Sequence, residues 1–313
     1  MAEKKKIIAV GANPAWQKVL QFASMRYNAV NRADRMWAFA SGKGINFVRA
    51  CHCWGVADAE VVQFAGGDNG KLLLDDLAKE NLNCQTFSAG VPTRCCTTLL
   101  SLADGAMTEI IEPSQAPDRD SENAALEYIK AAALQADGGA LCGQLPSGMS
   151  ADFYVKCAEA FAFQGKTVLI DSYKNIADVL AAGKNALLKI NAEEVRALSG
   201  VDNVVEAVKM LLNAYPLACI AITDGAEKAY LGSRNGFYEL NVPVINEVVN
   251  PVGSGDTVSA VFLSEYLAGV APEQALACGI AAASANCMSM KCGSFNRSDA
   301  EELLKNICIS KLQ

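Results

Sequence analysis

The chain has 313 residues, 51% of them apolar and 19% charged, with a formal net charge of −7. High apolar content with little charge excludes disorder for most of it and allows one large core or two ordinary ones. A mildly acidic chain with no basic block is a poor nucleic-acid or membrane-surface binder, and no apolar run approaches the ~18 residues of a membrane span.

The start, Met1 to Ile7, is charged before it turns apolar. It lacks the apolar stretch and cleavage site of a secretory signal. Strand-like and helix-like segments then alternate. Ile7–Val10 reads as a short strand, Gly44–Trp54 as a helix, Glu60–Ala65 as a strand and Asn69–Glu80 as a helix. The Ala-rich stretch Ser121–Gln135 predicts a helix leading to the strand Ala140–Cys142. Helix Ala151–Phe163 leads to the buried strand Thr167–Ile170, which ends at Asp171. Ala186–Ile190 and Ala218–Thr223 are further strands, with helical Asn203–Asn213 between them. Asp256–Ala268, Pro272–Met288 and Arg297–Cys308 read as helices. Short apolar strands separated by helices of 10–15 residues, as here, mean βαβ units and a parallel sheet, with ligands at the carboxyl ends of the strands.

Two stretches break the alternation. Lys18–Phe22 with Asn31–Ala38 is one; Thr93–Leu102 with Met107–Ile111 is the other, a hairpin around Asp104-Gly105. Both predict a small accessory sheet, the alternative being edge strands of the main sheet. No repeat or linker divides the chain, so a single domain over 1–313 is expected.

The twelve cysteines are scattered through apparent core positions without a CxxC pair. This suits a reducing, cytoplasmic setting, with Cys as a small buried hydrophobe. The single histidine, His52, makes a His-based triad improbable.

The densest chemistry lies in Asn250-Pro251-Val252-Gly253-Ser254-Gly255-Asp256-Thr257, just before an apolar helix. Gly253 and Gly255 permit close approach of a ligand. The helix start favours an anion, and the Asp256 carboxylate beside it could take a proton from an attacking hydroxyl. A merely capped helix start explains the octet equally well. A second segment, Ser41-Gly42-Lys43-Gly44-Ile45-Asn46, opens another helix without being a Walker A loop. Small residues with a Lys and an Asn suit a polyhydroxyl or anionic ligand. In the third, Lys189-Ile190-Asn191-Ala192-Glu193-Glu194, the side chains of Asn191 and Glu194 share one helix face. They suit Mg²⁺ held through water, or a capping box.

Taken together, these segments resemble the ribokinase-like (PfkB) carbohydrate kinases. The closest branch is that of the 1-phosphofructokinases and tagatose-6-phosphate kinases. The resemblance runs from Asn13-Pro14-Ala15 through Gly42–Asn46 and Gly143-Gln144-Leu145-Pro146-Ser147-Gly148. It continues through Lys189-Ile190-Asn191 with Glu194, Thr223-Asp224-Gly225-Ala226 and Asn250–Asp256 to Asn286. It implies a three-layer α/β/α fold with a mostly parallel central sheet. A small β-sheet lid, from strands inserted at about 15–40 and 93–112, closes over the substrate and in many members pairs two copies into a homodimer. It implies ATP with Mg²⁺ and a sugar phosphate as ligands. Asp256 would be the catalytic base, with the amides of Gly253, Ser254 and Gly255 as an anion hole. Gln17, Gly42, Lys43, Asn46, Arg94 and Gln144 would bind the sugar. Lys189, Asn191, Thr223, Gly225, Gly253, Gly255 and Asn286 would face the nucleotide, and Asn191 and Glu194 the metal. Thr93-Arg94 resembles the pair that holds the substrate's own phosphate, and Arg32 lies in the first lid stretch.

Two positions depart from that branch. Gln17 stands where an Asp is usual, and Gln144 where a Ser is usual. Both fall on the sugar side. The alternatives are a kinase for an unphosphorylated sugar or nucleoside, and a non-catalytic sugar-phosphate sensor. A dinucleotide dehydrogenase is not supported, because Gly66-Gly67-Asp68-Asn69-Gly70 does not supply its glycine fingerprint.

Overall fold

A computed structural model describes residues 3–312. The chain runs β1 (Lys5–Val10), β2 (Ala15–Phe22), β3 (Arg35–Ser41), α1 (Lys43–Trp54), β4 (Ala57–Ala65), α2 (Gly67–Lys79) and β5 (Asn83–Ser88). Next come β6 (Cys95–Ser101), β7 (Met107–Ile111), α3 (Arg119–Ala133), β8 (Gly138–Cys142), α4 (Asp152–Phe163), β9 (Thr167–Asp171) and α5 (Ala177–Ala182). The rest is β10 (Ala186–Asn191), α6 (Ala192–Ser199), α7 (Val204–Ala214), β11 (Leu217–Asp224), β12 (Lys228–Ser233), β13 (Gly236–Asn241), α8 (Ser254–Leu267), α9 (Pro272–Cys287), α10 (Arg297–Leu304) and β14 (Ile309–Leu312).

Ten strands form one sheet in the order β14-β13-β12-β11-β10-β9-β8-β1-β4-β5. From β11 to β5 every neighbour pair is parallel; β12, β13 and β14 add on antiparallel at one edge. The inner strands are buried along nearly their whole length, as β8 and β9 are. Such strands must be covered on both faces. Side chains of α1, α2, α8, α9 and α10 share one core with one face of the sheet, and those of α3, α4, α5, α6 and α7 share a second core with the other. This is the expected three-layer α/β/α fold.

The accessory stretches form a separate four-stranded sheet, β3-β2-β6-β7, rather than edges of the main one. The hairpin turn lies where Asp104-Gly105 predicts it, with Asp104 Oδ1 accepting from the Ala106 N–H. The first stretch differs from expectation. Residues 31–34 are not strand, and the second strand runs on to Ser41, directly into α1. Val19, Phe39 and Leu100 on the inner face of this sheet pack with Cys292, and Val252 and Met290 lie against them. The small sheet therefore rests on the loops before α8 and after α9.

The C-terminal stretch read as helix to Cys308 stops at Leu304 and returns as edge strand β14. There the Asn241 side chain bonds both the Asn306 carbonyl and the Cys308 N–H. All twelve cysteines are unpaired. Among the described residues no helix is long and apolar enough to cross a membrane.

Candidate active site

The strand order reverses beside β1: the chain moves from β1 to β4 and β5 on one side, then to β8 on the other. Ligands of open α/β sheets bind at such a switch point, beyond the carboxyl ends of the strands. Here the ends of β1, β8, β9 and β10 surround a cavity of about 350 Å³, lined by Asn13, Lys43, Arg94, Gln144, Asp171 and Glu194 among others. That volume suits a small ligand. Gly11 and Gly44 let the start of α1 meet the end of β1, because a Cβ on Gly44 would come within 2.7 Å of the Gly11 Cα. Through this contact α1 brings Lys43 and Asn46 to the switch point.

Asp256 sits in the first turn of α8, and no side chain caps that helix. Of the first-turn N–H groups, that of Ser254 donates to the Pro251 carbonyl at 3.3 Å, and those of Gly255 and Asp256 are left for an anion. Gly253 forms the turn at φ 86°, where a Cβ would lie 2.9 Å from both the Cys292 Cβ and the Gly293 nitrogen. Only glycine fits without displacing that loop. Asp256 is 7% exposed, and its Oδ2 accepts from Asn46 Nδ2 at 2.8 Å. It does not itself line the cavity; Lys43 and Asp171, which do, act on it electrostatically.

Burial pushes the Asp256 carboxyl up to about 6, with Asp171 adding to the rise and Lys43, Asn46 and Lys189 opposing it. A base with this value needs pH above about 6 to be ionised, so turnover should fall on the acid side with a limb near pH 6. A kcat that stays flat down to pH 4.5 would contradict this. Stability should move the opposite way. A carboxyl raised in the folded state contributes stability below its unfolded value, and that contribution is lost as pH rises through about 6.

Asp171, at the end of β9, was not singled out as a site residue from the sequence. It is 2% exposed. Its Oδ1 lies 2.6 Å from Lys43 Nζ and its Oδ2 3.8 Å from Lys189 Nζ, and Ser259 Oγ of α8 donates to Oδ2 at 2.6 Å. Burial alone would raise its carboxyl, but Lys189 and Lys43 outweigh that and hold it below the usual range. Lys43 in turn is held above its ordinary value by Asp171 and Asp256, against the effect of burial. Asp171, Asp256 and Lys189 are therefore buried in one cluster, which Lys43, its side chain 41% exposed, joins from the cavity side, and the two acids are pushed in opposite directions. A carboxylate closing a buried strand at the sheet's ligand edge was the available signal.

Arg94 lines the cavity from the small sheet. Its Nη2 donates to the Asn13 carbonyl at 3.2 Å, and its Nε is buried without a partner. Among the described residues it makes no ion pair with a carboxylate. Thr93 supports it and does not face the ligand: Thr93 is 6% exposed, and its Oγ1 accepts from the Gly66 N–H. Gln144 is exposed at the cavity wall. Gln17 differs from expectation. It is 3% exposed, donates to Thr98 Oγ1 at 2.8 Å and is absent from the cavity lining. An uncharged side chain can be buried there because it finds that partner. Gly42, at φ 116°, is the turn into α1 and lies against Pro14. Arg32 is exposed in the turn between β2 and β3, outside the cavity.

On the nucleotide side, Lys189 is buried beside the start of α8, its Nζ 2.9 Å from where a Gly255 Cβ would stand. Thr223 is the penultimate residue of β11, and Gly225 is an exposed turn residue beyond it. Asn286 is fully buried: its Nδ2 donates to the Val252 carbonyl, and its Oδ1 accepts from the Gly293 N–H. It shapes the loops flanking Gly253 and has no free side chain for a ligand. Asn191 and Glu194 form a capping box, each accepting from the other's N–H. Among the described residues no three His, Cys, Asp or Glu side chains cluster as a metal site. Glu194 nevertheless lines the cavity near Asp171. A sparse set of hard oxygens fits Mg²⁺ that keeps its waters and is shared with phosphates.

Comparisons with known proteins agree with this geometry. The model of the pfkB family of carbohydrate kinases matches residues 4–299. A tagatose-6-phosphate kinase of Staphylococcus epidermidis is 26% identical over 308 residues, covering 96% of this chain and 98% of that one. The crystal structure of Escherichia coli phosphofructokinase-2 in complex with fructose-6-phosphate superposes with a TM-score of 0.85 at 22% identity, covering 96% of this chain and 99% of that one. A carbohydrate kinase from Agrobacterium tumefaciens gives a TM-score of 0.74 at 19% identity, over 98% and 100% of the two chains.

Proposed function

Because this chain belongs to the pfkB family of carbohydrate kinases, whose members use ATP with Mg²⁺, we propose that it phosphorylates a hydroxyl of a ketohexose phosphate such as fructose 1-phosphate, with Asp256 as base. The observation that carries this reading is the juxtaposition of a buried carboxylate with a helix start that no side chain caps. Asp256 takes the proton of the attacking hydroxyl. The N–H groups of Gly253, Ser254 and Gly255 hold the charge of the transferring phosphoryl group. Asn46 holds Asp256 in place, and Lys189 adds positive charge beside the helix start. Glu194 and Asn191 would hold Mg²⁺ through water, and the ion neutralises phosphate charge when bound. Thr223 and Gly225 flank the nucleotide. Lys43, Gly42 and Gln144 surround the sugar.

A phosphorylated substrate is supported by Arg94. A guanidinium in the cavity wall without a carboxylate partner is a ready fork for a phosphate dianion. The names of a tagatose-6-phosphate kinase and a phosphofructokinase-2 among its relatives agree with such a substrate. The test is ADP release with Mg·ATP against fructose 1-phosphate, fructose 6-phosphate, tagatose 6-phosphate, fructose, ribose and adenosine. Turnover confined to a phosphosugar supports the reading; turnover only with an unphosphorylated member overturns it.

The small sheet serves as a lid that excludes water from the transfer, within a single domain in the cytoplasm. Its strands and hairpin turn carry exposed apolar side chains, Met36 at 62% and Ile110 at 55% on strands and Leu102 at 64% in the turn, which suit pairing with a second copy. Ile110→Lys should convert a homodimer to a monomer by light scattering. A wild-type protein that is already monomeric at micromolar concentration would contradict the pairing.

A further inference from the structure

The buried residue Arg49 has no part in the chemistry described so far. It lies on α1, three residues after Asn46, and is 2% exposed. An arginine has five N–H donors in a rigid fork, and each has an acceptor here. Nε and Nη2 donate to the two carboxylate oxygens of Glu80 at 2.7 and 2.9 Å. Nη2 also donates to the Ala40 carbonyl of β3 at 2.7 Å. Nη1 donates to the Cys292 carbonyl at 2.6 Å and to Asn46 Oδ1 at 3.3 Å.

The last contact bears on catalysis. The Asn46 amide has two distinct ends, and only its nitrogen end can donate to Asp256. Its oxygen accepts from Arg49 Nη1 and from Ser41 Oγ, the latter at 3.0 Å. A flipped amide would turn its N–H₂ toward the Arg49 donor and its oxygen toward the Asp256 carboxylate, so both pairings would become repulsive. The same guanidinium grips the Cys292 carbonyl. The next residue, Gly293, packs so tightly on Asn46 that a Cβ there would lie 2.4 Å from the Asn46 carbonyl oxygen. Lys291 ties this loop to Glu80 at 2.8 Å and to Asp76 at 3.3 Å.

We propose that Arg49 is a positioning residue for phosphoryl transfer: it locks the Asn46 amide in the orientation that donates to Asp256 and fixes the loop at Cys292 against it. The inference rests on the proposed role of Asp256 as base. Lysine at this position keeps the charge but offers a point donor in place of a fork. In Arg49→Lys the amide is free to turn, and Asp256 loses a donor that favours its ionised form. The other charges facing Asp256 are Lys43 of α1, Asp171 of β9 and Lys189 of β10, and this substitution leaves all of them unchanged.

The test measures kcat, both KM values and the acid limb of kcat for Arg49→Lys, alone and in an Asn46→Ala background. The expected result is a kcat lower by roughly 10²-fold, KM values near wild type and an acid limb moved to higher pH. In the Asn46→Ala background the same substitution should change kcat no further, since residues acting through one contact are not additive. Wild-type kcat and limb in Arg49→Lys would overturn the inference. So would an equal loss in both backgrounds, which marks a purely structural role. If Arg49→Lys does not fold, Ser41→Ala removes the other donor to the same oxygen, and its kcat and acid limb are read in the same way. An active Asp256→Asn protein would instead refute the base, a failure distinguishable from these.

Discussion

Asp256→Asn is expected to lower kcat by roughly 10²–10⁴-fold, the range for loss of a positioned general base, while the Kd for ATP stays within a few-fold of wild type. The substitution keeps the size of the side chain and one oxygen, so Asn46 Nδ2 still has an acceptor. It removes the only feature the reaction needs from that oxygen, its affinity for a proton. The loops that form the start of α8 are held independently: Asn250 bonds the Met290 carbonyl and the Val252 N–H, and Asn286 bridges Val252 and Gly293. The anion hole therefore survives the change. Because burial penalises the Asp256 carboxylate, the variant should also be at least as stable as the parent at pH 7. Stopped-flow turnover, ATP titration and a thermal melt check the three parts, and near-normal turnover would remove the mechanism.

Arg94→Ala is the second large effect. Its guanidinium reaches the cavity with Nε unpaired, tethered only through Nη2 to the Asn13 carbonyl. A charge-assisted hydrogen bond contributes ~1.5–3 kcal/mol, which corresponds to a rise of roughly 10–10²-fold in the KM for a phosphosugar. The KM for ATP should change by less than about twofold, since Arg94, just before β6, is tethered to the Asn13 carbonyl and makes no hydrogen bond to the loops at Gly253 and Asn286 among the described residues. Truncation also leaves Thr93 in place, bonded at Gly66, so the local backbone should persist. Equal rises in both KM values, or none, would show that Arg94 does not hold the substrate phosphate.

The two predictions rest on residues of unequal visibility. Asp256 and its glycines were legible because a close-approach loop needs residue types that stand out in any sequence. The parallel sheet was legible because fully buried strands read as unbroken apolar runs. The elements that escaped were polar or short. β5 reads Asn-Cys-Gln-Thr-Phe-Ser and is only partly buried, and α5 and α6 are brief. The β12–β13 hairpin had a signal in Asn235-Gly236, a strong turn dipeptide between alternating segments. Arg49 was invisible, and Asp171 was marked only by its place at a strand end, for another reason. Each is ordinary by itself and acquires meaning only from partners distant in sequence: Lys43, Lys189 and Ser259 for Asp171, and Glu80, Cys292 and Asn46 for Arg49. Gln17 marks the converse limit. Its position in the motif suggested contact with the sugar, yet it is buried in the small sheet with a hydrogen bond to Thr98.

The proposed reaction is phosphoryl transfer to a sugar that already carries a phosphate. The most direct measurement is ³¹P NMR of the purified protein with Mg·ATP and each phosphosugar of the panel. For at least one of them a second phosphomonoester resonance on the sugar should grow in step with ADP, with no free phosphate and no such signal in Asp256→Asn. ATP consumption that yields only inorganic phosphate, or transfer only to an unphosphorylated sugar, would contradict it.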